Sequence, residues 1–339
     1  MTSFAHDEQS DPTTLSEIKR LYKDTSSDRF MGCYAYATQS GFRSFDLGMG
    51  GEAFWGEIGS RWLFGIDYGR TDPRALREIA RQKNAEVRIF DGSWVVSQEG
   101  FFPRRDFHAK VALMENSKTG ASGMVLGSGN FSNNGLERSV EAGTAYAAQS
   151  EKEFKAHIYP VKHKFEKFWS TSTPLKDVIE QYEKRRSDFL EEEDNKRPKK
   201  ALMSRNIFWI EAGYVTPNRN ERPGNQIFFP RGFRTFFGYE QKKSEKKNSI
   251  IGAVTFRTPV GDPVTNNLRL NRNSMEKISL PIPETHGFGV YDGKVLVFEE
   301  VDGEFFMKAF EQIEFHRLYG QRLADVKRMT GGRRYGAIV

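Results

Sequence analysis

Cysteine is nearly missing from this chain of 339 residues, which carries only Cys33. A single cysteine excludes an internal disulfide framework and any zinc site built from several cysteines. Cys33 lies in the run M-G-C-Y-A-Y-A, where a small buried residue is a better interpretation than a nucleophile. The lack of disulfides is typical of proteins from a reducing compartment, so we expect a cytoplasmic location.

Long apolar runs are also lacking. No stretch approaches the roughly 20 residues needed to span a bilayer, and 28% of the residues are charged. The first residues, M-T-S-F-A-H-D-E-Q-S-D, lack the basic and apolar regions of a secretory signal, so we expect no membrane attachment. The sequence has no G-x-x-x-x-G-K-[ST] loop, and any ATP dependence would therefore come from another protein.

Positive charge is concentrated in one part of the chain. The net charge is +6; residues 201–339 carry 21 Lys and Arg against 15 Asp and Glu, and the first 200 residues carry 30 against 30. This asymmetry is expected if the C-terminal part binds a polyanion and the N-terminal part carries out chemistry. The length and the charge run E-E-E-D-N-K-R-P-K-K predict one domain over 1–190, a linker over 191–204 and a second domain over 205–339.

The first half alternates between strand and helix patterns. Residues 1–27 are polar, and we expect an arm outside the core with a short helix at 14–22. Strands are predicted at 29–38, at 61–69 and in A-E-V-R-I-F, with a helix at 73–82 that begins at a proline. This β-α-β order favours parallel pairing in a sheet that is covered on both faces.

The pattern of the second half predicts short strands separated by turns, which is typical of a barrel or sandwich. A Y-D-G-K turn predicts a hairpin, and one helix fits at 231–237. Two polar connections, at 216–224 and 266–274, carry Arg and Asn, the side chains that read guanine and adenine edges. The candidate DNA-binding residues in these connections are Arg219, Asn220, Arg222, Arg269, Arg272 and Asn273.

The chemically distinctive stretch lies between these halves. F-H-A-K-V-A-L-M alternates like a strand, so His108 and Lys110 share one face. G-M-V-L-G-S-G-N predicts a second strand that ends in a glycine-permitted turn bearing Ser128 and Asn130, and E-A-G places Glu141 beyond it. One imidazole, one ammonium, one hydroxyl, one amide and one carboxylate together suit a phosphate oxyanion. A purely structural role is the alternative, but a core has no need for Lys110 beside His108.

H-x-K followed by G-S-x-N resembles the signature of the phospholipase D superfamily. The aspartate that many members place shortly after the lysine is absent here, where Glu115 and Asn116 stand. The pattern is therefore similar to the nuclease branch, in which a downstream acid, here Glu141, completes the site. The resemblance implies an α/β sandwich, with a mixed sheet flanked by helices, for the first domain.

A wider resemblance covers nearly the whole chain. A phospholipase-D-like domain followed by a basic β domain, with R-x-Y-G-x-I near the C-terminus, looks like the BfiI-type restriction endonucleases, including NgoAVII/CglI-like systems. Their C-terminal domain resembles the DNA-binding domain of plant B-three transcription factors, which implies an all-β, seven-stranded pseudobarrel. In that case 216–224 and the region around 266–273 are arms that embrace the major groove of double-stranded DNA.

The resemblance also implies a mechanism. One imidazole attacks phosphorus to form a phosphohistidine and a second protonates the 3′-oxygen. Because the chain has one H-x-K motif, we expect a homodimer in which two copies of His108 meet at the interface. Glu141 would orient His108, and Lys110, Ser128 and Asn130 would hold the phosphate oxygens. No cofactor and no divalent metal is then needed, because fixed cations do the work of the metal.

Three alternatives remain open. The chain could be another phosphodiesterase or a non-specific nuclease of the same superfamily. It could be a DNA-binding regulator with an inert nuclease half. Some relatives cut only together with an ATP-driven helicase subunit, so a helicase partner is a further open question.

Overall fold

The chain forms two compact units, Met1–Glu191 and Glu192–Val339. The structure is a computed structural model that describes residues 1–7, 12–195, 206–215, 217–230, 232–240, 249–271, 275–329 and 332–339. In the described part of the chain, no helix has the length and apolar character required to cross a membrane. Each unit has its own sheet and its own cores, and each is described by itself.

Unit 1 contains strands and helices in alternation. Its strands are β1 (Thr2–His6), β2 (Arg29–Tyr34), β3 (Gly59–Phe64), β4 (Ala85–Ile89), β5 (Lys110–Glu115), β6 (Ser122–Gly127), β7 (Glu141–Ala148) and β8 (Thr173–Pro174). Its helices are α1 (Thr14–Asp24), α2 (Gln39–Met49), α3 (Glu52–Glu57), α4 (Pro73–Ala80), α5 (Gly92–Val95), α6 (Glu151–Glu153), α7 (Tyr159–Thr171) and α8 (Ile179–Asn195). Short 3₁₀ turns lie at Asp67–Gly69, Glu99–Phe101 and Leu175–Asp177, and π-helical turns at Asn134–Arg138 and Phe154–Ile158.

The strands of unit 1 form a mixed sheet. Within the described residues eight strands pair in the order β1-β7-β6-β5-β2-β3-β4-β8. The pairs β2–β3 and β3–β4 are parallel, as the β-α-β pattern predicts, because a helical connection returns the chain to the same end of the sheet. The other pairs in this sheet are antiparallel.

Helices cover both faces of this sheet, and β2 shows why. Phe30 and Tyr34 point into a core that includes residues of α1, α2, α3 and α4. Met31 and Cys33, at the intervening positions, lie in a second core with Trp169 of α7. Since side chains alternate along a strand, a nearly continuous apolar strand requires a partner layer on each side. Cys33 is fully buried, as the sequence indicates.

The prediction that residues 1–27 form an arm is wrong for the part that the structure describes. β1 pairs with β7, and α1 buries Leu15, Ile18 and Leu21 in the core. Thr13 caps α1 through a reciprocal bond pair with Ser16. The spacing of the three apolar residues places them on one face of a helix, so a largely polar segment still contributes a full apolar stripe.

Unit 2 is built around a second sheet. Its strands are β9 (Ile207–Glu211), β10 (Gln226–Phe229), β11 (Ile250–Arg257), β12 (Val264–Leu270), β13 (Glu276–Ser279), β14 (Val295–Val301), β15 (Glu304–Phe310), β16 (Leu323–Arg328) and β17 (Arg334–Ile338). One helix, α9 (Gln312–Tyr319), and the 3₁₀ turns Phe233–Phe237 and Gly320–Arg322 complete the described elements.

The expected count of seven strands is wrong, since the described residues of unit 2 place nine in one curled sheet, ordered β10-β13-β12-β11-β15-β14-β9-β17-β16. β11 and β15 pair in parallel, whereas the other neighbours are antiparallel. Trp209, Val295 and Phe315 form a core on one face, and α9 supplies Phe315 to it. The unit is therefore a β domain that also contains helical elements.

The predicted Y-D-G-K hairpin is also wrong. β14 begins only at Val295, and its antiparallel partners are β15 and β9. The actual hairpin turn is the other D-G pair, Asp302 and Gly303, with φ of 53° and 81°. These angles are those of a tight two-residue hairpin turn. Both D-G pairs signal a turn, but only the second lies between two strands that pair with each other.

Candidate active site

Strand direction brings the motif residues to one end of the unit 1 sheet. β5 starts with Lys110, and antiparallel β6 ends at Gly127, directly before Ser128. β7 runs antiparallel to β6 and starts with Glu141. In an antiparallel pair the start of one strand meets the end of its neighbour. His108, Lys110, Ser128, Asn130 and Glu141 therefore lie at the same sheet end, although 33 positions separate the first from the last.

Two glycines place Asn130 in this group. A Cβ on Gly129 would lie 2.1 Å from the carbonyl oxygen of Gly135, and one on Gly135 would lie 2.5 Å from the backbone nitrogen of Asn130. The backbone approach is thus possible only without side chains at both positions. Oδ1 of Asn130 is buried and has no hydrogen-bond partner in the part of the chain that the structure describes. A buried amide oxygen without a partner is uncommon and points to a functional site.

Ser128 and Glu141 form a hydrogen-bonded pair. The Ser128 hydroxyl donates to a carboxylate oxygen of Glu141 and accepts a 3.0 Å bond from the Ala142 N–H. The strand backbone therefore fixes the position of the hydroxyl, and the hydroxyl fixes the carboxylate.

Lys110 is partly buried beside this pair. Its Nζ donates a 2.9 Å bond to the carbonyl oxygen of His108. Burial lowers the pKa of Lys110, the Glu141 carboxylate acts against that shift, and the Arg70 cation adds to it. Lys110 thus lies in the electrostatic field of one carboxylate and one further cation.

His108 is exposed and lies just before β5. The sequence suggests that Glu141 orients its ring, but among the described residues the hydrogen-bond donor to Glu141 is Ser128. The carboxylate that interacts electrostatically with His108 is that of Asp67. Oδ2 of Asp67 accepts a 2.9 Å bond from the Phe107 N–H, and its Oδ1 is buried without a partner in the described residues.

Sequence reasoning missed the turn that carries Asp67. The strand predicted over 61–69 ends at Phe64, and residues 67–69 form a 3₁₀ turn. Burial raises the pKa of Asp67, the Phe107 N–H acts against the shift, and the exposed Asp106 carboxylate adds to it. The signal available in the sequence was G-I-D-Y-G, a carboxylate between two glycines at the end of an apolar run.

His6 is a second imidazole close to the site. It stands opposite Glu141 in the register of β1 and β7. Its side chain is buried, and its Nε2 lies 2.9 Å from the Thr14 hydroxyl. Burial lowers the pKa of His6, although the Glu141 carboxylate acts in the opposite direction. A buried, neutral imidazole with a hydroxyl partner is poorly placed to protonate a leaving group.

Glu115 does not belong to the site. It ends β5, at the opposite end of the strand from Lys110, and its carboxylate binds Lys162 Nζ at 2.5 Å. The Glu115 carboxylate therefore takes no part in the group that contains Lys110. Among all the residues that the structure describes, no group of three or more His, Cys, Asp or Glu is placed to hold a metal ion.

Of the six candidate DNA-binding residues of unit 2, one is largely buried, three are exposed and two lie outside the described residues. Arg219 is largely buried, and its guanidinium binds the Glu284 carboxylate at 2.5 Å and the Pro223 carbonyl at 3.1 Å. Asn220 and Arg222 are exposed on the same loop. Arg219 therefore holds the loop together and leaves its neighbours available for contact.

The second predicted connection is partly a strand. Residues 264–270 form β12, where Leu268 and Leu270 are buried and Arg269 is exposed. The alternation N-L-R-L is typical of a strand with one buried face. The polar composition of the segment led instead to the prediction of a loop. Arg272 and Asn273 lie outside the described residues.

Comparison with known proteins adds little to this geometry. No protein-family model matches the chain, and no curated protein matches it. Among solved structures, NucT from Helicobacter pylori is similar, with 15% sequence identity and a TM-score of 0.35, over 51% of this chain and 98% of that chain. A likeness this distant carries no functional argument, so function is inferred from the site itself.

Proposed function

We propose that this protein is a metal-independent endonuclease of the phospholipase D type, a site-specific deoxyribonuclease that hydrolyses DNA phosphodiesters. The observation that carries the proposal is the convergence of His108, Lys110, Ser128, Asn130 and Glu141 at one sheet end. A phosphate bound there would meet a nucleophile, a cation and polar side chains on fixed backbone, which is the arrangement that phosphoryl transfer requires.

The reaction proceeds in two steps. A ring nitrogen of His108 attacks phosphorus, the bond to the 3′-oxygen breaks, and a second imidazole gives that oxygen a proton. Water then attacks the phosphohistidine, the second imidazole takes the proton from the water, and His108 is released. Lys110 and Asn130 hold the non-bridging oxygens, while Ser128 and Glu141 form a hydrogen-bonded unit beside them.

The second imidazole comes from another copy of the chain, in a homodimer through unit 1. His6 is the alternative within one chain, but its burial and its bond to Thr14 argue against that role. Mixing wild-type chain with His108→Ala tests the assignment. If the two imidazoles come from two chains, cleavage should fall with the square of the wild-type fraction, whereas a site within one chain predicts a fall in proportion to that fraction. If His6→Gln abolished cleavage in a folded dimer, the second imidazole would be His6.

Unit 2 supplies the affinity for double-stranded DNA. Its sequence holds the basic excess, and its described residues expose Asn220, Arg222 and Arg269 on a loop and a strand. Sequence-specific contacts of this kind would make the protein a restriction endonuclease. Its cleavage would need ATP only if a helicase subunit takes part, which an assay on plasmid DNA with and without ATP and cell lysate would reveal.

The decisive experiment removes the nucleophile and the metals separately. His108→Ala should lower cleavage by at least about 10³-fold, since the covalent step is lost, and should leave DNA binding intact. The matched control is His163→Ala, an exposed histidine stacked on Tyr159 of the same unit.

Wild-type cleavage should persist in EDTA. Complete loss in EDTA that magnesium restores would refute the mechanism.

A further inference from the structure

Building on the proposed function, we infer that Arg70 binds a phosphate next to the scissile one, so that the site is built for a polynucleotide strand and not for a small phosphodiester. Arg70 follows the 3₁₀ turn Asp67–Gly69 and lies close enough to Lys110 to lower its pKa. The sequence motifs do not include this residue.

The Arg70 guanidinium is held in place without being neutralised. It lies over the ring of Tyr68, with its central carbon 5.4 Å from the ring centre, and the Tyr68 hydroxyl donates a 2.7 Å bond to Asp106. No carboxylate in the described residues forms an ion pair with Arg70. A stacked, exposed and unneutralised guanidinium is well suited to bind a phosphate through paired N–H groups.

A buried network fixes the turn that presents Arg70. The Arg186 guanidinium, itself 6% exposed, donates a 2.7 Å bond to the Gly69 carbonyl. The Tyr182 hydroxyl donates a 2.6 Å bond to the Thr71 carbonyl. Both donors come from α8, so a long helix braces the backbone on either side of Arg70.

The backbone of Tyr68 carries strain that this bracing maintains. Its φ is +56°, a left-handed value that costs a non-glycine residue on the order of 1 kcal/mol or more. Strain of this kind persists where the surrounding structure enforces it, and it is concentrated at functional sites.

Position separates the role of Arg70 from that of Lys110. Lys110 is partly buried at the start of β5, whereas Arg70 is exposed directly after the 3₁₀ turn Asp67–Gly69. A small diester bound by Lys110 and Asn130 has no second phosphate for Arg70 to bind. A nucleic acid strand carries one charge per roughly 3.4 Å of helix axis, so further phosphates flank the one that is cut.

The first test measures binding without cleavage. In the full-length His108→Ala background, fluorescence anisotropy of a labelled duplex oligonucleotide is followed across salt concentrations. Arg70→Gln should weaken binding and reduce the slope of log affinity against log salt by about 1, as one lost phosphate contact predicts. The control is Arg29→Gln, an exposed arginine at the opposite end of the sheet. Equal slopes for the two variants would overturn the inference.

The second test compares substrates with active protein. Arg70→Gln should raise KM for DNA about tenfold, and the loss on bis(4-nitrophenyl) phosphate should be several-fold smaller, with Arg70→Lys in between. Equal losses of kcat on both substrates would place Arg70 on the scissile phosphate and refute the subsite. If the wild-type chain cut neither substrate, the proposed function would fail, while the salt slope would still decide the role of Arg70.

Discussion

Two buried carboxylates, Glu276 of unit 2 and Asp67 of unit 1, are held in opposite ways. In unit 2, Arg234 and Glu276 are both almost fully buried and form a 2.7 Å ion pair, and Glu276 also accepts bonds from the backbone N–H groups of Gly232 and Arg234. In unit 1, Asp67 and Asn130 each keep a buried oxygen that lacks a partner within the described residues. The Glu276 carboxylate, with its ion pair and backbone donors, stabilises the fold, whereas a buried polar oxygen without a partner beside an exposed imidazole is a candidate for a reactive site.

The largest effect on stability should come from breaking the unit 2 pair. Glu276→Gln keeps the volume of the side chain but leaves the Arg234 cation buried without its counter-ion, which costs about 3–5 kcal/mol of unfolding free energy. Urea unfolding of the full chain, followed by far-UV circular dichroism, measures it. Glu304→Gln is the control, because its partner Arg257 is exposed and such pairs contribute about 0–1 kcal/mol. Similar costs for the two variants would contradict the comparison.

Asp67 should behave in the opposite way, since its substitution removes an unfavourable buried charge. Burial raises the pKa of Asp67 above its usual value of 3.8, so its ionisation destabilises the fold as pH rises through and beyond that range. Asp67→Asn should therefore raise stability at neutral pH by about 1 kcal/mol and lower cleavage, because His108 loses its nearby carboxylate.

Two measurements separate these effects of Asp67. The gain in stability should disappear below pH 3.8, where the aspartate is protonated in both states. DNA cleavage by the variant, measured at neutral pH, should be lower than that of the wild type. Asp177→Asn, an exposed substitution in the same unit, should change neither. A destabilised Asp67→Asn protein with normal cleavage would refute this account.

The smallest effect should come from the partly exposed pair Arg219–Glu284. Burial acts to raise the pKa of Glu284, but the bonds from Arg219 outweigh it and the net pKa is lowered. The pair therefore contributes fully above about pH 4.5 and is lost as pH falls through the lowered pKa. Arg219→Gln should cost at most about 1 kcal/mol of stability. DNA affinity should fall more for Arg222→Gln than for Arg219→Gln; the reverse order would make Arg219 the contacting residue.

Local sequence patterns predicted most elements that lie near the site. The β-α-β order, the two strands of the H-x-K and G-S-x-N motifs and the strand at Glu141 all appear where the periodicity places them. Two of the failures share one cause, because the polar composition of a segment concealed its periodicity. Residues 1–27 looked polar although Leu15, Ile18 and Leu21 share a helix face, and 266–270 looked like a loop although its residues alternate.

The order of residues along the chain determined by itself which side chains carry chemistry and which strands bear them, because a strand's period and a glycine turn are local properties. Only the tertiary structure decided that Asp67, Arg70 and His6 lie beside them, and that the carboxylate of Glu141 is bound by Ser128. Those contacts join segments that are far apart in the chain. No local pattern encodes such a contact, since strand pairing and packing between distant segments bring it about.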